Sequence, residues 1–469
     1  MTTLIKGGTV VAPTGAAPAE VLIDGEQIAA VLQPGSAIAT AAEASAQVID
    51  AGGKLVVPGG VDVHTHMELP FGGTEASDDF ESGTRAAAWG GTTTIVDFAV
   101  QRYGEAVRDS LDVWMAKAEG NCAVDYGFHM IIGDVTNDSL KEMDLLVDEG
   151  ITSFKLFMAY PGVFYSDDGQ ILRAMQQAAG NGGLIMMHAE NGLAIDVLAE
   201  QAFERGDTSP VNHGYVRRKE LESEATHRAI QLAKVGAAPL YIVHLSAREA
   251  LEQVAIARDR DMNVFAETCP QYLYFSLEDH LDRPGFEGAA YVCSTPLRSH
   301  REHHQQELWR GLRSNDLAVV STDHCPFCMK EQKELGLDDF RAIPNGIGGV
   351  EHRMDMIYQG VRTGEIGLAR WVELCATTPA RMMGLYPRKG IIAAGSDADI
   401  VVYDPDKVWT ISVDNHHMNM DHSAYEGVEV TGHVDTVLSR GKVIVDNGHY
   451  LGRKGDGRYL PRSLCQYLQ

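Results

Sequence analysis

Short apolar runs alternate with longer stretches of helical period through the middle of the chain. Eight runs stand out: LVVPGGVDVHTH, TTTIVDFAV, DYGFHMII, ITSFKLFMA, LIMMHAE, PLYIVHLS, NVFAETCP and LAVVSTDHCPF. Between them, segments such as SGTRAAAW, VRDSLDVWMAKAEG, DGQILRAMQQAAGN, ESEATHRAIQLAKVG and SAREALEQVAIARDR predict helices. This alternation is the pattern of βα units on a parallel sheet. Eight such units over about 270 residues predict an α/β fold, a (β/α)₈ TIM barrel. A doubly wound open sheet is the alternative, but no Gly-rich dinucleotide or phosphate fingerprint follows the first strand.

The chain ends read differently. TLIKGGTVVAP, AEVLIDGEQIAAVLQPG and AQVIDAGGKLVVPGG are short strand patterns separated by turns at Gly7-Gly8, Asp24-Gly25 and Gly52-Gly53. GIIAAGSDADIVVYDP, VWTISVD and VDTVLSRGKVIVDNGHY repeat that character near the other end. Neither block has a helical period long enough for a crossover, so the two pair as one small β-sandwich-like domain. The resulting division is residues 1–56 and 386–450 for the β-domain, 57–385 for the barrel and 451–469 for a basic, aromatic tail. That tail is either a subunit contact or an ordinary surface segment.

Composition narrows the function. At 469 residues with 45% hydrophobic positions, the chain can bury a large core. A formal charge of −26 argues against nucleic acid and against an anionic membrane surface. No apolar window reaches a membrane-spanning length, and MTTLIKGGTVVAP lacks the pattern of a secretory signal. Seven cysteines scattered over the chain do not form a disulfide framework, so a reducing cytoplasm is expected.

In a barrel of this kind, reactive groups gather at the C-terminal ends of strands. The first run carries His64 and His66, whose imidazoles share one face of a strand. Alone, that pair suits a metal ion or an ordinary polar patch. Further runs bring Lys155 in the fourth strand, His188 closing the fifth, His244 closing the sixth and Asp323 closing the eighth. Four histidines and an aspartate exceed the three protein ligands one catalytic zinc takes, so two divalent ions are the better count. Lys155 is the misfit, because an ammonium would be repelled by two cations. It is either a snorkelling or salt-bridged strand lysine, or one that has reacted with CO₂ to give an anionic carbamate that bridges the ions.

The motifs GGVDVHTHMELPFGGTEASDDFESGTRAAAWGGTTTIVDF, GITSFKLFMAYPGVFYSDDGQI, MMHAENG, VHLS, AETCPQYLYF, STDHCPF and PNGIGGVEHRM follow in order. Together they resemble the D-hydantoinase/dihydropyrimidinase family, cyclic amidases of the amidohydrolase superfamily. The likeness covers essentially the whole chain, including GIIAAGSDADIVVYDP. It implies one metal on His64, His66, carboxylated Lys155 (N6-carboxylysine) and Asp323, and a second on Lys155, His188 and His244. It also implies zinc, with manganese accepted, and a homotetramer or homodimer.

The expected reaction opens the ring of 5-substituted hydantoins and/or dihydropyrimidines to N-carbamoyl amino acids. A hydroxide between two divalent ions is available near neutral pH, since coordination brings the pKa of water to about 7. Asp323 is expected to carry the proton to the leaving nitrogen. By resemblance, Tyr160 is the oxyanion donor, against the alternative of a core tyrosine. Backbone groups at Ser294 and Asn345 are implied ring contacts, against the alternative of simple turns. Leu69, Phe71, Phe157 and Phe164 either line an apolar substituent pocket or belong to the core.

Two other clusters compete for attention. DHCPFC holds a lone CxxC, from which Cys325 and Cys328 read as packing or loop residues; DNHHMNMDH lies beyond the barrel and reads as a solvated loop. A dihydroorotase would want a cation soon after the HxH, and HTHMELPFGG has none. An allantoinase-type enzyme and a non-catalytic scaffold of the same fold are the remaining alternatives. The complete ligand set argues against the scaffold.

Overall fold

The computed structural model describes residues 2–468. Its centre is a sheet of eight parallel strands in sequential order: β1 (Gly60–Thr65), β2 (Thr92–Val100), β3 (Asp125–Ile131), β4 (Ser153–Phe157), β5 (Leu184–His188), β6 (Leu240–Ile242), β7 (Val264–Thr268) and β8 (Val319–Val320). Every residue of these strands is buried, which is why they read as near-continuous apolar runs rather than alternating ones. Helices cover the outside. Asp168–Asn181 shows how local signals bound them: Asp167 and Gln170 cap its start reciprocally, and Gly182 ends it at φ 79°.

The barrel is nearly closed. Between β8 and β1 the ladder is reduced to a bridge between Thr65 and His324, and the buried Arg353 fills the seam below it. Its Nη1 donates to Val61 O at 3.1 Å and Val320 O at 3.0 Å, one carbonyl from each side. Higher up, Thr322 Oγ1 donates to Asp62 Oδ2 at 2.6 Å.

Mixed sheets from both chain ends pack beside the barrel. One has the order His449–Tyr450, Lys442–Asp446, Glu429–Ser439, Ile400–Thr410, Leu55–Pro58, Thr9–Ala12, Gly15–Pro18. The other pairs Gln27–Leu32, Glu20–Asp24, Thr2–Lys6 and Gln47–Asp50. Period-two alternation divides the first sheet between two cores: Val57, Val401 and Tyr403 join the main core, while Val56, Ile400 and Val402 join a second one with Ile5, Val21 and Ile23. Buried Lys389 ties this unit to the barrel, its Nζ lying 2.6 Å from both Asp125 Oδ2 and Asp399 Oδ2.

One expectation needs revision. The run LVVPGGVDVHTH is two strands: Leu55–Pro58 belongs to the outer sheet and Gly60–Thr65 to the barrel. The chain changes sheets at Gly59, where a Cβ would lie 2.2 Å from Thr93 Oγ1, so only glycine passes. The tail folds back under its own barrel. Leu460 N donates to Tyr126 O at 2.7 Å and Arg462 N to Gly150 O at 3.1 Å, burying Leu460 and Arg462 within the subunit. No helix among the described residues is long and apolar enough to cross a membrane.

Candidate metal centre

The barrel strands bring His64, His66, Lys155, His188, His244 and Asp323 to one end, where all but His64 line a narrow cavity of about 50 Å³. His64 lies just beneath, fully buried. Ligand atoms of His64, His66 and Asp323 all fall within 4.8 Å of one another. His64 Nε2 and His66 Nε2 lie 3.1 and 3.3 Å from Asp323 Oδ1. Lys155 Nζ sits 2.9 Å from His64 Nε2, and His188 Nδ1 faces His244 Nε2 at 2.9 Å.

His244 and Asp323 do not close their strands as expected. The ladders end at Ile242 and Val320, and both residues stand beyond them on left-handed backbone, at φ 38° and 51°. Tyr160 shares this conformation at φ 64°. Non-glycine residues in that region carry a backbone cost and concentrate at functional sites.

Outer contacts select the tautomers. The Glu267 carboxylate accepts the His64 Nδ1 proton, and also bonds from Tyr241 Oη at 2.8 Å and His244 N at 3.2 Å. The Glu190 carboxylate lies 2.9 Å from His188 Nε2 and accepts from Arg217 Nη1 at 2.6 Å. With those nitrogens protonated, His64 Nε2 and His188 Nδ1 keep their lone pairs for the centre, the arrangement expected around metal-bound histidines. Asp97 fixes the turn between the histidines, accepting from Thr65 Oγ1 at 2.7 Å and Met67 N at 3.0 Å.

Burial shapes the charges. It pushes His66 down to about 3 and lowers His188 and His244 below the usual imidazole range, so these three are neutral donors. Burial also pulls Lys155 down to about 8, against the opposing pull of Asp323 and Glu267. For Asp323 burial is outweighed by His64 and by bonds from His64 and His66, which hold it well below the carboxylate range. Three neutral imidazoles and the Asp323 carboxylate, with His64 Nε2 aimed at the same point, fit divalent ions, and imidazole with carboxylate suits zinc and its neighbours.

The rest of the cavity is formed by Leu69, Phe71, Phe157, Tyr160, Phe164, Ser294 and Asn345, together with Ile131 and Cys325. Phe71 stands edge-on to Tyr160 at 5.2 Å, and Phe157 stacks on Phe164 at 5.0 Å. Asn345 Nδ2 donates to Ser294 Oγ at 3.0 Å. Cys325 is buried beside Asp323, while Cys328 is partly exposed. The DNHHMNMDH loop is less solvated than expected: His417 stacks on Trp89 at 3.9 Å and pairs with Glu351 at 2.7 Å, and both ring nitrogens of His416 are shielded from water. This loop packs on the barrel rim because Asn419 N donates to buried Asp78.

A near-closed parallel barrel with a His-His-Asp metal cluster at its strand ends is the architecture of an amidohydrolase, and the Amidohydrolase family model matches residues 55–444. The chain is 64% identical over 466 residues to a D-hydantoinase of Streptomyces coelicolor, covering 99% of each chain. The crystal structure of a dihydropyrimidinase from Brevibacillus agri superposes with a TM-score of 0.95 at 45% identity, over 99% of each chain. An L-hydantoinase (dihydropyrimidinase) from Arthrobacter aurescens gives 0.87 at 28% identity, covering 98% of this chain and 99% of that one. The chain belongs to the D-hydantoinase/dihydropyrimidinase family of the amidohydrolase superfamily.

Proposed function

We propose that this chain hydrolyses the cyclic amide of D-5-substituted hydantoins, and of dihydropyrimidines, to N-carbamoyl amino acids. The observation that carries the reading is the convergence of six side chains, with tautomers set by Glu267 and Glu190, in a chain so similar to a D-hydantoinase. The D preference rests on 64% identity to that enzyme, against 28% to an L-hydantoinase.

Lys155 enters first. With burial lowering it to about 8, about a tenth of its side chain is free amine at pH 7, against roughly one in three thousand for an ordinary lysine. The Nζ lone pair attacks the carbon of CO₂, an N–C bond forms, a C=O electron pair moves onto oxygen, and one N–H proton leaves to solvent. The resulting carbamate would carry one negative charge shared by two oxygens, in place of an ammonium beside His64. His64, His66, Asp323 and the carbamate would hold one divalent ion, and His188, His244 and the carbamate the other, zinc being the metal proposed and manganese the alternative. When bound, the pair supplies Lewis acidity and lowers the pKa of water to about 7.

Asp323, ionised and 3.1 Å from His64, accepts the proton of the attacking water and returns it to the ring nitrogen as the C–N bond breaks. Tyr160, which burial keeps protonated, donates its hydroxyl to the developing oxyanion. The loops of Ser294 and Asn345 receive the planar ring through backbone groups. Leu69, Phe71, Phe157 and Phe164 receive the exocyclic substituent, which favours apolar and aromatic groups. The protein is proposed to act as a homotetramer.

The test is a panel of D- and L-5-phenylhydantoin, dihydrouracil and allantoin, run with metal analysis on reconstituted protein. The reading expects D-5-phenylhydantoin and dihydrouracil to be opened. Turnover of allantoin alone would favour the allantoinase-type alternative, and metal-replete protein inert on all four would favour the scaffold.

A further inference from the structure

Lys333 is fully buried, yet among the described residues no carboxylate takes its protons. All three go to main-chain carbonyls: Pro344 O at 2.7 Å, Val292 O at 2.9 Å and Gly346 O at 2.9 Å. Pro344 and Gly346 are the immediate neighbours of Asn345, and Val292 lies two residues before Ser294. Gly346 N also donates to Val292 O, at 3.0 Å, so the two loops are pinned edge to edge around the ammonium. The other side of Gly346 is fixed as well, since a Cβ there would lie 2.0 Å from Cys325 O.

The planarity of the peptide turns this anchoring into aim. In a trans peptide the C=O of one residue and the N–H of the next point in opposite directions. Holding Pro344 O on Lys333 therefore directs the Asn345 N–H away from the lysine. Holding Gly346 N on Val292 O directs the Asn345 C=O away as well. Among the described residues neither Asn345 group joins a main-chain hydrogen bond, and Asn345 lines the cavity. A donor and an acceptor set side by side match the N–H and C=O of a cyclic amide.

We infer that Lys333 is a positioning residue for ring recognition, the buried clamp that aims both backbone groups of Asn345 at the substrate ring. This inference rests on the function proposed above. Releasing the carbonyls should loosen recognition while leaving the metal ligands in place.

The experiment compares Lys333→Met and Lys333→Gln with the unsubstituted enzyme, each zinc-reconstituted and assayed on D-5-phenylhydantoin with metal content measured in parallel. Lys333→Met removes every donor and is expected to raise KM about tenfold with two metals per chain retained and a smaller change in kcat. Lys333→Gln keeps two N–H groups and is expected to fall between. A KM within twofold of the parent in Lys333→Met, even with a lowered melting temperature, would reduce Lys333 to packing and overturn the inference. Failure of both variants to fold would also overturn it, since the residue would then serve the whole barrel. An unsubstituted, metal-replete enzyme that opens no cyclic amide would instead remove the functional reading, and the recognition role with it.

Discussion

Replacing Glu267 by Gln exchanges one carboxylate oxygen for an amide NH₂ with little change in shape, and puts the tautomer argument at risk. Three donors converge on this carboxylate: His64 Nδ1–H, Tyr241 Oη–H and His244 N–H. A glutamine offers a single acceptor atom and two donors in their place. If its NH₂ faces His64, the imidazole must accept at Nδ1 and carry its proton on Nε2, the atom that points at Asp323 and Lys155. The lone pair then leaves the metal centre. If the amide is flipped, its oxygen keeps both His64 and His244, which share Oε1, but the Tyr241 hydroxyl on Oε2 faces a donor, and a buried donor without an acceptor costs about 1–3 kcal/mol. Outer-shell carboxylates typically contribute 10–100-fold in metal affinity, and at about 1.4 kcal/mol per decade that range matches the cost of the orphaned donor. Zinc affinity measured by chelator competition is therefore expected to fall about 10–100-fold, with kcat largely recovered at saturating zinc. Tyr241→Phe, which removes one donor and leaves the carboxylate, is expected to weaken zinc by much less. Affinity within twofold of the parent in Glu267→Gln, or equal losses in both variants, would refute the assignment of Glu267 as the group that sets the His64 tautomer.

Lys155→Ala is expected to abolish turnover, with partial return on adding a small carboxylic acid together with metal; full activity without rescue would contradict the bridging role. Tyr160→Phe is expected to lower kcat by about 10²–10³ while zinc content stays unchanged, as read by steady-state kinetics and metal analysis. In metal-stripped protein, CO₂ uptake by Lys155 should rise with pH as the amine is freed and level off above the folded pKa of about 8; a rise continuing past pH 10 would mean the lysine is not perturbed. Lys389→Met takes away the cation paired with buried Asp399, while Asp125 keeps Arg440, and is expected to cost about 3–5 kcal/mol in urea unfolding, with KM unchanged.

The barrel was legible because its strands are buried on both faces, so each appears as a short apolar run. The same property exposed His64, Lys155 and His188, which are polar interruptions in those runs. Other features depend on partners that no local pattern specifies. Asp97, Glu190 and Glu267 also interrupt apolar strands or their ends and could have been flagged as such, but their role depends on which histidine nitrogen each one meets. Lys333 and Arg353 act through main-chain carbonyls, a kind of partner for which a sequence carries no signal. The left-handed backbone at Tyr160, His244 and Asp323 occurs without a glycine to announce it. The missed break at Gly59 has the opposite origin: the glycine was visible, but the Thr93 methyl and hydroxyl that require it belong to the next strand.

The most direct measurement is of the side chain at position 155. Protein stripped of metal and reconstituted with zinc and ¹³C-labelled bicarbonate should take up one labelled carbon per chain, located on Lys155, alongside two zinc ions, and should lose both label and activity on mild acidification. Fully active protein with no label, and an unmodified ammonium on Lys155, would contradict the account.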